Sequence, residues 1–182
     1  MKPEDFVGQQ PTFAMEQYFD GHTRGWGIFE DRSGVLRAQF TVKVDGKWDG
    51  KELILEENYA YTDGRTDRRV WTVTKIDANT YHGHASDVIG VANGRAFGNA
   101  FNRHYDVDLK VRDNRTYRVH LNDWMFLQSD DVLLNRARAT KWGIEVGELT
   151  LVFTKANHAA PVALPAAALR IPTPVLRRDP HS

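Results

Sequence analysis

A chain of 182 residues with 41% hydrophobic and 26% charged residues suits one packed domain and argues against disorder over most of its length. Lys plus Arg and Asp plus Glu stand at 24 each, so no long-range field attracts nucleic acid or an acidic membrane surface. There is no cysteine, which excludes disulfide staples, thiolate metal sites and a cysteine nucleophile.

The start, Met1-Lys2-Pro3-Glu4-Asp5, lacks an apolar run of signal-peptide length, and nowhere do ~18 apolar residues follow one another. The expectation is a cytoplasmic protein with no transmembrane segment. Thr12 to Phe19 reads as a short helix, with Thr12 as its cap and Phe13, Tyr18 and Phe19 as an apolar stripe, placed to plug one end of a barrel. Thereafter turn signals recur at strand-sized intervals: Asp31-Arg32-Ser33-Gly34, Asp45-Gly46, Asp49-Gly50, Asp63-Gly64, Asn79, Asn93-Gly94 and Asp113-Asn114. Asp, Asn and Gly tolerate the left-handed conformations that tight hairpins need.

Between these turns apolar residues alternate with polar ones. Leu36, Ala38, Phe40, Val42 and Val44 oppose Arg37, Gln39, Thr41 and Lys43, and the same period runs through Tyr105, Val107, Leu109 and Val111 and through Tyr117, Val119 and Leu121. Further strands are read near Trp26–Glu30, Glu52–Tyr61, Arg69–Ile76, Tyr81–Asp87, Val91–Phe97, Trp124–Leu127, Val132–Ala139 and Gly147–Thr154. About ten strands joined by short turns predict an all-β, antiparallel up-and-down barrel of lipocalin type, because closure removes the two edges that an open meander would expose. From about Asn157 the chain turns to Ala, Pro and Arg, and is expected to be an extended or disordered tail beside a single domain over residues 1–156.

Several residues could carry chemistry. Glu57 shares parity with Leu53, Leu55, Tyr59 and Tyr61, so it is predicted inside, where a carboxylate needs a partner. Arg69 has the parity of Trp71 on the next strand, and a Glu57–Arg69 ion pair is the natural pairing. It either fixes strand register or anchors the polar end of a ligand. Asp123 and Met125 share one face and Trp124 and Phe126 the other; such groups line a pocket or fill a core. Arg136 and Lys141 could hold a carboxylate or phosphate, although a solvated basic rim is the simpler expectation. His82 and His84 project to the same face of a strand, with Asp87 close behind. A third ligand would have to come from elsewhere, so they read as surface histidines and no metal is assigned. The glycines of Gly90–Gly94 and Gly98-Asn99-Ala100 accompany no βαβ unit, and no nucleotide cofactor is expected.

In order along the chain, Phe19-Asp20-Gly21, Trp26-Gly27-x-Phe29, Asp31-Arg32-x-Gly34, Gly46-x-Trp48-x-Gly50, Tyr61-x-Asp63-Gly64, Arg69-x-Trp71, Tyr81-x-Gly83, Asp87-x-x-Gly90, Gly98-Asn99-Ala100, Asp123-Trp124-Met125, Asn135-Arg136, Lys141-x-Gly143 and Gly147-Glu148 resemble a bacterial family known as domain of unknown function 3833. Its members are often lipoproteins. The resemblance implies a distant relation to lipocalin-type barrels, which hold apolar ligands centrally, and a setting near enzymes that modify lipids. The lipobox cysteine of the lipoprotein members is missing before Phe19, so membrane anchoring is not carried over.

Three functions are compatible with these readings. The first is a barrel that binds a fatty acid, modified lipid or isoprenoid, its candidate contacts being Glu57, Tyr59, Tyr61, Arg69, Trp71, Asp123, Trp124, Met125, Arg136 and Lys141. The second is a lipid isomerase, cyclase or hydratase in which Glu57 or Asp123 is the acid/base. The third is a filled barrel that acts as a scaffold for such an enzyme and exposes an apolar patch.

Overall fold

The computed structural model describes residues 1–110 and 116–155. The turn expected at Asp113-Asn114 and the tail expected from Asn157 lie outside the described residues. Ten antiparallel strands close into one barrel: β1 Gly21–Asp31, β2 Leu36–Trp48, β3 Glu52–Tyr61, β4 Thr66–Lys75, β5 Thr80–His84, β6 Val88–Phe97, β7 Ala100–Lys110, β8 Thr116–Leu127, β9 Leu133–Lys141 and β10 Ile144–Lys155. Each strand pairs with its sequence neighbours, and β1 pairs with β10 from Thr23↔Lys155 to Asp31↔Gly147. Among the described strands no edge is left to template another chain.

The alternation seen in the sequence decides which face is inside. On β2, Phe40, Val42 and Val44 are buried, and on β3, Leu53, Leu55 and Glu57. Two expected turns prove to be strand interior. Asp45-Gly46 lies within β2 and Asn93-Gly94 within β6. Gly46 is needed for close approach, since a Cβ there would collide with the carbonyl of Phe19. The segments around Tyr117–Leu121 and Trp124–Leu127 are one continuous strand, β8.

Room for large rings comes from small residues opposite them. On β1 the inward positions Gly25 and Gly27 face Phe153 and Phe40; a Cβ on Gly27 would stand 2.5 Å from Phe40 Cζ, and one on Gly25 2.8 Å from Phe153 Cδ1. With Trp71, Tyr81, Phe101 and Tyr105, these rings make a dense core. Packing at interior density leaves little tolerance for added volume.

The helix, α1, is shorter than expected. It spans Met15–Phe19, its N-cap is Ala14, and no side chain caps it; Thr12 lies in the extended segment that leads in. That segment is held by Phe13 N donating to Gly98 O at 2.8 Å, which sets the entry point of the helix two residues late. α1 closes one end of the barrel: Phe19 meets Phe153 edge-on at 5.5 Å, and Tyr18 Oη donates to Asp131 O at 2.8 Å. Glu16, buried in this plug, accepts from Lys75 Nζ and, at 2.8 Å, from Tyr81 Oη. Before the helix, a 3-10 turn at Pro3–Phe6 lies on the outer wall, where Phe6 packs on Trp124 at 5.9 Å and Phe126 at 5.5 Å.

Two expectations follow from this packing. Gly27→Val should destabilise the fold by about 1–3 kcal/mol through overpacking, and Phe40→Leu in the same chain should recover most of the loss; urea melts in which the double variant is no better than Gly27→Val would contradict the contact. At Glu16, burial acts to raise the carboxyl pKa, but hydrogen bonds from Lys75 and Tyr81 outweigh it and leave the pKa below 4.5. A depressed folded pKa adds stability above the unfolded value and loses it as pH falls through the folded one. Glu16→Gln should therefore cost about 1–2 kcal/mol at pH 7 and less at pH 3. Equal losses at the two pH values would refute the assignment.

Candidate functional site: a polar cluster inside the barrel

Inward parity on neighbouring strands collects ionisable groups in an apolar barrel. Glu57 and Tyr59 come from β3, Arg69 from β4, Asp87 from the turn after β5, Arg103 and Tyr105 from β7, and Asp123 from β8. Glu57 and Arg69 stand directly opposite each other in register, as the alternation predicts. They are nevertheless not each other's closest partner. The Arg69 guanidinium reaches past Glu57 to the carboxylate of Asp87, and Glu57 Oε2 instead accepts a 2.6 Å hydrogen bond from Tyr59 Oη. The expected Glu57–Arg69 contact is thus replaced by two others, because Arg69 is long enough to reach the next turn while Tyr59 lies two residues along the same face.

The inner half of the cluster is sealed. Arg103 Nε donates to Asp123 Oδ2 at 2.7 Å, and Asn135 Nδ2 donates to Asp123 Oδ1 and, at 2.9 Å, to Trp124 O. Only 2% of the Asp123 side chain and 11% of the Arg103 side chain are exposed. Arg103 also lies over the ring of Trp71 at 4.5 Å and over Tyr105 at 5.2 Å, and Trp71 meets Tyr105 edge-on at 5.4 Å. With its carboxylate satisfied from two sides and water excluded, this pair is a structural brace.

The outer half opens toward the end opposite α1. There the side chains of Arg69 and Asp87 remain 24% and 28% exposed, and the inward residues Phe29, Tyr59, Tyr61, Leu121 and Leu149 are half-buried. Burial acts against the Arg69 charge, but Tyr59, Glu57, Tyr105 and Asp87 around it hold its pKa above the ordinary value. Burial pushes the Tyr105 phenol up to about 12 and, together with Glu57, pushes Tyr59 well above its usual value. Both phenols are therefore proton donors at neutral pH. Asp87 Oδ1 is here a buried acceptor without a hydrogen-bond partner; Trp71 Nε1, in the sealed layer, and Thr23 Oγ1 and Asn99 Oδ1, elsewhere, are the other such side-chain atoms among the described residues. Unsatisfied groups of this kind are expensive in a native interior.

The remaining candidates are not brought into this group. Met125 is buried in the core. Trp124 faces outward beneath Phe6. Arg136 is on the outer wall, its Nε donating to Glu148 Oε1 at 2.6 Å. Lys141 sits at the rim, its Nζ over Tyr117 at 4.4 Å and over Trp142 at 4.8 Å. His82 and His84 flank Gly83, which faces inward against Trp71, so both imidazoles are on the outer surface. Among the described residues no group of three or more His, Asp or Glu is arranged to hold a metal ion, and no helix is long and apolar enough to cross a membrane. Two shallow grooves mark the outer wall of β1 to β4, of about 330 Å³ beside Trp26, Ile28 and Thr41 and about 620 Å³ beside Lys43, Asn58 and Arg68.

Sequence reasoning missed Arg103, Tyr105 and Asn135 as partners and took Asp87 for a possible companion of the histidines. A signal was present for three of them: Arg103 and Tyr105 share parity with Phe101 and Val107, and Asn135 with Leu133 and Ala137, all inward. Asp87 lies in a turn, where parity gives no direction.

The fold resembles the crystal structure of a protein of unknown function from the DUF3598 family of Nostoc punctiforme PCC 73102, with a TM-score of 0.56 and 14% identity, over 81% of this chain and 51% of that one. At this identity the likeness speaks for the barrel alone, and this chain spans about half the length of that protein. No match was found among curated proteins. The model of the family described as Protein of unknown function (DUF3833) matches residues 1–155, and the chain belongs to that family.

Proposed function

We propose that the protein binds a small, largely apolar molecule through the open end of its barrel, the ligand's polar end seated by Arg69, Asp87, Glu57 and Tyr59. One observation carries this reading. A set of buried charges sits in a largely apolar interior, half of it sealed and half left partly accessible at Arg69 and Asp87, where one oxygen of Asp87 has no partner. Buried ion pairs rarely add stability over apolar residues of the same volume, so the accessible half calls for a use beyond folding. Small-ligand sites combine apolar walls with a few convergent polar groups in this way. In this reading the protein is a cytoplasmic carrier of a lipid or isoprenoid, and lipid-modifying enzymes are the partners that would supply or take up the ligand.

A second reading is catalytic. The 2.6 Å contact between Glu57 and Tyr59 is a carboxylate–phenol pair that could exchange a proton with a bound lipid. It is favoured if a bound lipid is converted by the native protein and held unconverted by Glu57→Gln.

The test of binding is native mass spectrometry of the full chain from its own host, followed by thermal shifts over a fatty-alcohol, fatty-acid and isoprenoid panel. A stoichiometric adduct, or a rise in Tm that Leu149→Trp at the open end reduces at least ~10-fold in ligand potency, is expected. An empty protein that no member of the panel stabilises would end this reading and favour the scaffold.

A further inference from the structure

We infer that the polar end of the ligand is uncharged and carries both a hydrogen-bond donor and an acceptor, as a hydroxyl or an amide does, and is not a carboxylate or phosphate. The inference rests on the binding reading above and narrows its ligand class.

The interior charge count is the first ground. Arg69 and Arg103 are met by Glu57, Asp87 and Asp123, two positive groups against three that are negative when ionised. With every carboxyl ionised the set has an excess of one negative charge, and with one carboxyl protonated it is neutral. Neither state leaves a positive excess for an anion. The groups act on one another as a single set, since Glu57 influences both Arg69 and Arg103 and all three influence Tyr105. At the rim, Asp67 stands opposite Tyr59, and Arg65, which lies over the Tyr61 ring, is paired with Asp63 at 2.8 Å. On β4 and the turn before it, Arg65 and Arg68 are thus each paired with a carboxylate. In a poorly solvated interior a like charge added at this range is strongly disfavoured.

The second ground is what the cluster still lacks. Asp87 Oδ1 is a buried acceptor without a donor. Arg69 spends one N–H on Asp87 and has others to give. A carboxylate could accept from Arg69 but has no hydrogen for Asp87, and its charge would repel Asp87 and Glu57. A hydroxyl or amide accepts from Arg69 and donates to Asp87 with no net charge. Such a site discriminates by leaving its own buried groups unpaired when the wrong head group enters.

The test uses a matched set of twelve-carbon probes: dodecanol, dodecanamide, laurate and dodecane, titrated into the full chain at pH 8 with tryptophan fluorescence and calorimetry as readouts. Dodecanol and dodecanamide are expected to bind at least ~10-fold more tightly than laurate. Glu57→Gln removes one carboxyl charge and should raise the affinity for laurate relative to that for dodecanol severalfold. Laurate binding as tightly as dodecanol, or Glu57→Gln leaving their ratio unchanged, would overturn the inference and leave the binding reading standing. No binding by any of the four overturns both.

Discussion

Closure of the sheet between its first and last strands is the constraint to which everything else answers. Once β1 is paired with β10, every second residue of ten strands shares one confined interior, and a side chain assigned to that face cannot be turned out without slipping a whole strand. Bulk is then distributed by compensation. Gly25 and Gly27 on β1 give up side chains so that Phe153 and Phe40 can fill the axis, and α1 stops the end that the strands leave open. Polar groups caught on the inner face must find partners there, since water cannot follow them to the depth of Asp123.

That confinement explains the character of the polar cluster. Arg103, Asp123 and Asn135 satisfy one another in a sealed layer, while Arg69, Asp87, Glu57 and Tyr59 form a second layer toward solvent. The first costs desolvation but recovers it through geometry, and its removal on one side would strand a buried charge. The second is less complete. Its Asp87 Oδ1 is left without a partner, and an incompletely satisfied polar group close to solvent is a common mark of function.

Much of this was legible from period-two alternation. The barrel, the inward placing of Glu57 opposite Arg69 and the division of Asp123 and Met125 from Trp124 and Phe126 all follow from counting residues along strands. Partner choice was not legible. Parity says that Glu57 and Arg69 share a face, but whether a guanidinium turns to its cross-strand neighbour or reaches a turn depends on side-chain length and strand twist. Asp45-Gly46 and Asn93-Gly94 look like turns because the chemistry that permits a turn also permits close packing; Gly46 is there for the carbonyl of Phe19 and Gly94 for the ring of Phe101. Outward Trp124 and Phe126 are apolar because the N-terminal segment returns to cover them, a contact between Phe6 and strands over a hundred residues away that no local pattern encodes.

The pairing of Thr23 with Lys155 has a meaning in time as well as in space. Neighbouring strands can pair as soon as each hairpin exists, but the seam that completes the barrel joins residues from the two extremes of the sheet, the slowest kind of contact to form. Until it forms, β1 and β10 are both unpaired edges of a sheet whose inner face is already apolar, the condition in which chains associate wrongly. Substitutions that weaken the seam should thus be felt as lower yield of folded protein more than as a lower melting temperature, because they lengthen the interval during which the unclosed sheet is exposed to its neighbours.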